Sequence, residues 1–180
     1  MYDVLDVCRY VINYSDEKDY GISNLKLQKI LYFIQAYFLM EKESPCFQEK
    51  IEAWDFGPVI PKAYREYKQY ASSNIPKIAS FIKSPSIKFE GDEIIWKEDR
   101  IPYQDNIIIE SDKRLIQKVV DNFSGYSATD LVIITHKQDP WKNAYVKGET
   151  NEITIESIKG YFNEYGIKVK VNPSSIYWKG

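Results

Sequence analysis

Gly21-Ile22-Ser23-Asn24-Leu25-Lys26-Leu27-Gln28-Lys29-Ile30-Leu31-Tyr32-Phe33, followed by Ile51-Glu52-Ala53-Trp54-Asp55-Phe56-Gly57-Pro58-Val59-Ile60-Pro61, is the stretch around which the chain is organised. Ser23 is placed to cap a helix and Ile22 to staple onto its first turn. The helix is expected from about Asn24 to Glu41, with Leu27, Ile30, Leu31, Ile34 and Phe38 on one face and Lys26, Lys29 and Tyr37 pointing elsewhere. Leu25, Tyr32 and Phe33 widen that face beyond what a simple surface helix carries, which predicts a helix near the centre of the fold. Gln28 and Gln35 lie along it, and their amides need hydrogen-bond partners if buried. In the second half, Gly57-Pro58 is expected to force a turn, and Pro61 to open a third helix that continues through Tyr64 to about Tyr70. The Trp54 to Pro61 corner has two readings: a rigid core anchor, or an anchor that is also a contact surface.

Outward from this centre, Val4, Leu5, Cys8, Val11 and Ile12 build an apolar stripe on a first helix over residues 2 to 14. On the other side, Ser72 to Pro76 and Ser84-Pro85-Ser86 read as linkers, with one helical turn over Ile78 to Ile82 between them. Ile87 to Glu90 and Glu93 to Lys97 read as strands across a tight Gly91-Asp92 turn, and Asn106 to Ile109 as a third strand or a packed loop. Ser111-Asp112 is expected to cap a helix ending at Phe123, Ser127-Ala128-Thr129-Asp130 to start a short one, and Thr154 to cap the last. Ile167 to Val171 alternates and leaves a C-terminal strand open, one that could pair with the insertion. The expected fold is mainly α (α+β): one compact helical domain over residues 1–180, with an insertion at about 72–110 whose strands fall around 86–110.

Composition narrows the function. The net charge of −2 and pI near 5.6 argue against a global polyanion binder, so no direct nucleic-acid contact is expected. The 15 tyrosines suit half-buried surfaces and protein contacts, and equally an ordinary core. Cys8 and Cys46 form no CxxC pair, which fits inert thiols in a reducing cytoplasm. The acidic start Met1-Tyr2-Asp3 does not resemble a signal peptide, no segment is long and apolar enough for a membrane span, and the Asn-x-Ser matches at Asn13 and Asn122 are read as chance. A cytoplasmic location is expected.

Nucleotide-binding glycine loops and zinc motifs are missing, and His136 is the sole histidine. Neither a cysteine nucleophile nor a metal site is supported by the spacing, and no cofactor is expected. His136 reads as a helix-end residue bonding the last carbonyls. The alternative from another class is a small hydrolytic enzyme using His136 with an acid.

Three segments in fixed order carry a resemblance: Leu25-Lys26-Leu27-Gln28-Lys29-Ile30-Leu31-Tyr32-Phe33; Ala53-Trp54-Asp55-Phe56-Gly57-Pro58-Val59-Ile60-Pro61 with Tyr64; and Thr135-His136 with Pro140-Trp141. Together they resemble the Panacea domain family, also described as SocA-like antitoxins or GepA-type phage-associated proteins, over about residues 4 to 165. The insertion at about 75–110 departs from the shorter pattern. The resemblance implies a bacterial or prophage antitoxin, not an enzyme, that binds and neutralises a cognate protein toxin. In one branch it implies a proteolytic adaptor delivering the toxin to a Clp-type protease. Homo-oligomerisation is left open. The partner-binding candidates are Lys26, Gln28, Lys29, Tyr32, Trp54, Asp55, Phe56, Gly57, Pro58, Tyr64, His136 and Trp141.

Overall fold

A computed structural model of the chain describes residues 1–90 and 93–166, with the side chains of 83–90 and 93–97 excepted. Helix α1 (Val4–Glu17) is capped by the Asp3 carboxylate and runs a few residues past its expected end. Helix α2 (Asn24–Lys42) starts at the expected Ser23 cap and ends at Glu43, which adopts a left-handed conformation at φ 54°. Every residue from Leu27 to Leu39 is buried. A helix that is apolar on nearly all sides must be packed on all sides, and α2 is touched by α1, by α3 (Pro61–Tyr67), by α4 (Glu110–Phe123), by α5 (Ala128–His136) and by α7 (Ile155–Tyr165). The core is aromatic at its centre: Phe33 stacks on Phe123 at 4.2 Å, and Phe162 closes against Tyr32 at 6.0 Å.

The corner is a small antiparallel sheet rather than a bare turn. Strand β1 (Ile51–Trp54) lies between β2 (Gly57–Val59) and the two-residue β5 (Glu152–Ile153). The register Trp54↔Gly57 puts the reversal at Asp55-Phe56, two residues before the expected Gly57-Pro58 turn. Gly57 closes the hairpin at φ +92°, and Pro58, having no N–H to donate, is tolerated because β2 is an edge strand.

The β-containing insertion is a two-stranded ribbon, β3 (Ser80–Glu90) paired with β4 (Glu93–Pro102), longer than the expected strands. Ile78 to Ile82 is not a helical turn: the Asn13 amide takes both the N–H and the carbonyl of Ile78, and Phe81 pairs with Ile101. Ser84-Pro85-Ser86 is carried through as strand with a register shift between Ile82 and Pro85 rather than as a linker. At the ribbon's base the Arg9 guanidinium sits 3.5 Å over the Phe81 ring. Asp105–Ile107 is a short 3-10 turn, so Asn106 to Ile109 is a loop rather than a strand, but of its isoleucines only Ile108 is packed while Ile107 and Ile109 stay exposed. The Gly91-Asp92 turn and the strand left open at Ile167–Val171 lie outside the described residues.

Ser111-Asp112 does not cap α4, which begins at Glu110. Asp112 instead accepts hydrogen bonds from the Tyr2 hydroxyl and Lys42 Nζ, pinning the end of α2 to the start of α4. Ser127 and Asp130 form the reciprocal capping box of α5, and Thr154 caps α7. A further short helix, α6 (Asp139–Ala144), carries Pro140 in its first turn. The fold is mainly α with small antiparallel strands. Among the described residues no helix is long and apolar enough to cross a membrane.

Candidate functional site

Gln28 and Lys29 are consecutive on α2, and both are 0% exposed. Gln28 Oε1 accepts from the Ile60 N–H at 2.9 Å, and Lys29 Nζ donates to the Pro58 carbonyl at 2.8 Å. These polar groups stitch the outer edge of β2, which would otherwise expose unpaired backbone. The stitch continues outward: Gln28 Nε2 donates to Asn24 Oδ1 at 3.0 Å, and Asn24 Nδ2 to the Tyr64 carbonyl at 3.1 Å. Burial lowers the Lys29 pKa from 10.5 to about 7.

Gly57 permits this closeness. A Cβ there would stand 2.7 Å from Thr135 Oγ1 and 3.0 Å from Lys29 Cε, too near for any side chain. Thr135, itself 0% exposed, turns its hydroxyl back to the Leu131 carbonyl at 3.0 Å. His136 ends α5 and lies flat on Trp141, ring centroids 3.8 Å apart. Its Nε2 is buried with no hydrogen-bond partner among the described residues, and its ring bonds the Asp55 backbone rather than the last helical carbonyls as expected. Its pKa is lowered, first by burial and then by the Lys29 charge, while a hydrogen bond to the Asp55 backbone works the other way. Trp141 donates its indole N–H to the Trp54 carbonyl at 3.0 Å and stacks on Tyr145, whose hydroxyl reaches Asp55 Oδ1 at 2.8 Å.

The outer side of the corner is open. Trp54 meets Tyr64 edge to face at 5.0 Å, and its indole N–H is held by Glu52 at 2.8 Å. Phe56, at the hairpin tip, is 67% exposed. A groove of about 630 Å³ runs beside these rings, lined by Leu25, Val59 and Ala71 as well, with Asp55, Lys68 and Glu149 at its margins.

The expected residues therefore fall into groups. Trp54, Asp55, Phe56 and Tyr64 line the groove, with Gln28 beneath. Lys29, Gly57 and Pro58 are buried behind it, with Trp141 and His136 bracing Trp54 and Asp55. Two lie elsewhere. Lys26 donates to the Ser124 carbonyl at the end of α4, and Tyr32 is in the aromatic core, its hydroxyl without a hydrogen-bond partner among the described residues. Sequence reasoning missed Asn24, Tyr145 and Glu149. The four-residue spacing of Trp141 and Tyr145 was a usable signal for an aromatic pair, although Tyr145 caps α6 rather than lying within it; Glu149 had none. Among the described residues no cluster of three His, Cys, Asp or Glu side chains is placed to hold a metal ion.

Comparison with known proteins locates this constellation. A family described as "Antitoxin SocA-like, Panacea domain" matches residues 27–142, a span containing Gln28 and Lys29 of the stitch, Trp54 to Pro61 and Trp141. The chain is also 35% identical to Antitoxin SocA of Caulobacter vibrioides (strain NA1000 / CB15N), over 95% of this chain and 88% of that protein. No solved structure matches the chain.

Proposed function

The chain belongs to the Antitoxin SocA-like, Panacea domain family, and from that premise we propose that it is an antitoxin that neutralises a cognate protein toxin by direct contact through the open side of the corner. The observation that carries this reading is the exposure of Phe56 and Tyr64 beside an apolar groove, on a hairpin stitched rigidly to the central helix. Aromatic rings held in place lose little conformational entropy on binding and commonly dominate interface energy. The partner is a protein toxin, and the chain works without a cofactor, as a binding module rather than an enzyme.

The test is co-expression with the protein encoded beside this chain. The wild type is expected to restore growth and to copurify with that protein. Phe56→Ala combined with Tyr64→Ala is expected to lose both properties while keeping the wild-type circular dichroism spectrum. Copurification without dependence on these rings would move the contact elsewhere. Protection that vanishes in cells lacking a Clp-type protease would convert the reading to delivery for proteolysis. A hydrolytic His136 would have to present Nε2 to a substrate, and that atom is buried in a ring lying flat on Trp141. His136→Ala is accordingly expected to keep protecting cells, and its loss of protection with retained copurification would revive the enzyme.

A further inference from the structure

Resting on the groove as the toxin contact, we propose that the partner segment it accepts is an apolar side chain flanked by basic residues. The polar atoms on the floor are already engaged. Gln28 is used by Ile60 and Asn24, and Asn24 by the Tyr64 carbonyl, so nothing there calls for a polar ligand. The walls are apolar, formed by Trp54, Val59, Tyr64 and Leu25.

The margin supplies the charge preference. Asp55 and Glu149 are exposed at the groove and join no ion pair among the described residues; their carboxylates accept from the Tyr145 hydroxyl and the Asn151 amide. Glu52, beside Trp54, holds the indole N–H and joins no ion pair among the described residues, though its charge is felt by Lys50. Among the described residues lining the groove, Lys68 is the one basic side chain. Several carboxylates elsewhere are paired, Asp3 and Glu49 with Lys62, Asp112 with Lys42 and Glu152 with Lys50, whereas others such as Asp121 and Asp130 join no ion pair among the described residues, so the groove differs in placing its unpaired acids beside an apolar slot. The larger cleft between α1 and α4, near Tyr10 and Tyr103, makes the contrast, because its Lys113 is neutralised by Asp105 and Glu110, and its Lys77 by Glu17. Uncompensated acids around an apolar slot favour a partner that brings the cations, through both encounter rate and affinity.

Two synthetic nine-residue peptides make the test. Each has a central tryptophan between leucines, one flanked by arginines and the other by glutamates, and each is titrated into the isotope-labelled full chain while the Trp54 indole signal is followed. The arginine peptide is expected to bind about ten-fold more tightly at low salt, an advantage that shrinks at high salt. Asp55→Asn with Glu149→Gln, which preserves the hydroxyl and amide contacts, is expected to bring the two peptides within about two-fold. Equal binding by the wild type, tighter binding of the glutamate peptide, or no shift at Trp54 with either overturns the proposal. None of these outcomes touches the antitoxin reading, which stands or falls on cell protection and copurification.

Discussion

Phe56 and Gly57 are neighbours in the chain and opposites in the structure. Phe56 is 67% exposed at a hairpin tip, whereas Gly57 is buried where a Cβ would collide with Thr135 and Lys29. The same division runs through the whole corner. Its inner half (Gln28, Lys29, Pro58, Thr135) shapes the backbone, and its outer half (Trp54, Asp55, Phe56, Tyr64) presents side chains to a groove. One run of motif residues thus serves two purposes, and loss of function at any of them is uninterpretable until stability is measured beside it.

The comparison breaks most readily at Gly57. Gly57→Ala is expected to destabilise the protein by about 3 kcal/mol or more, because a side chain at φ +92° is strained and also overpacks Thr135. Thermal unfolding should show a midpoint lower by about 6–12 °C for a chain of this size. A midpoint within a degree of wild type would mean that the inner half yields. Next, Gln28→Leu leaves the Ile60 N–H buried without an acceptor and should cost about 2 kcal/mol in urea unfolding.

Lys29 adds a pH signature. Its folded pKa near 7 lies below its ordinary 10.5, so the unfolded chain binds the extra proton between those values and stability rises with pH across that window. The rise is at most about 1.4 kcal/mol per pH unit, and Lys29→Met should flatten its share of the slope. An unchanged slope in Lys29→Met would show that the amine keeps its proton when buried. The smallest stability effect belongs to the outer half: Phe56→Ala should change unfolding by less than about 0.5 kcal/mol while weakening protection against the toxin. A larger loss of stability would return Phe56 to the inner half.

Much of this was legible in the sequence for identifiable reasons. The all-round burial of α2 followed from Tyr32 and Phe33 extending its apolar stripe, and the α5 capping box from the Ser127 to Asp130 spacing. The ribbon showed through its Ile87 and Trp96 runs, although its extension down to Ser80 depends on Asn13, a distant residue with no local signal. Lys29 read as a side chain off the apolar stripe because periodicity assumes one wet face, and α2 has none along its middle. Strand β5 was invisible because two residues, Glu152 and Ile153, carry no pattern. The groove could not be read locally, since Leu25, Tyr64 and Glu149 meet only after folding.

The pairing of Ile51 with Ile153 also sets a schedule. β1 leaves the ribosome roughly a hundred residues before its partner strand, a delay of about 5–20 s at ordinary translation speeds. Trp54 likewise waits for the Trp141 indole that braces its carbonyl. A nascent chain therefore carries the central helix and both strands of the hairpin before the corner is complete, and a prematurely terminated one never completes it.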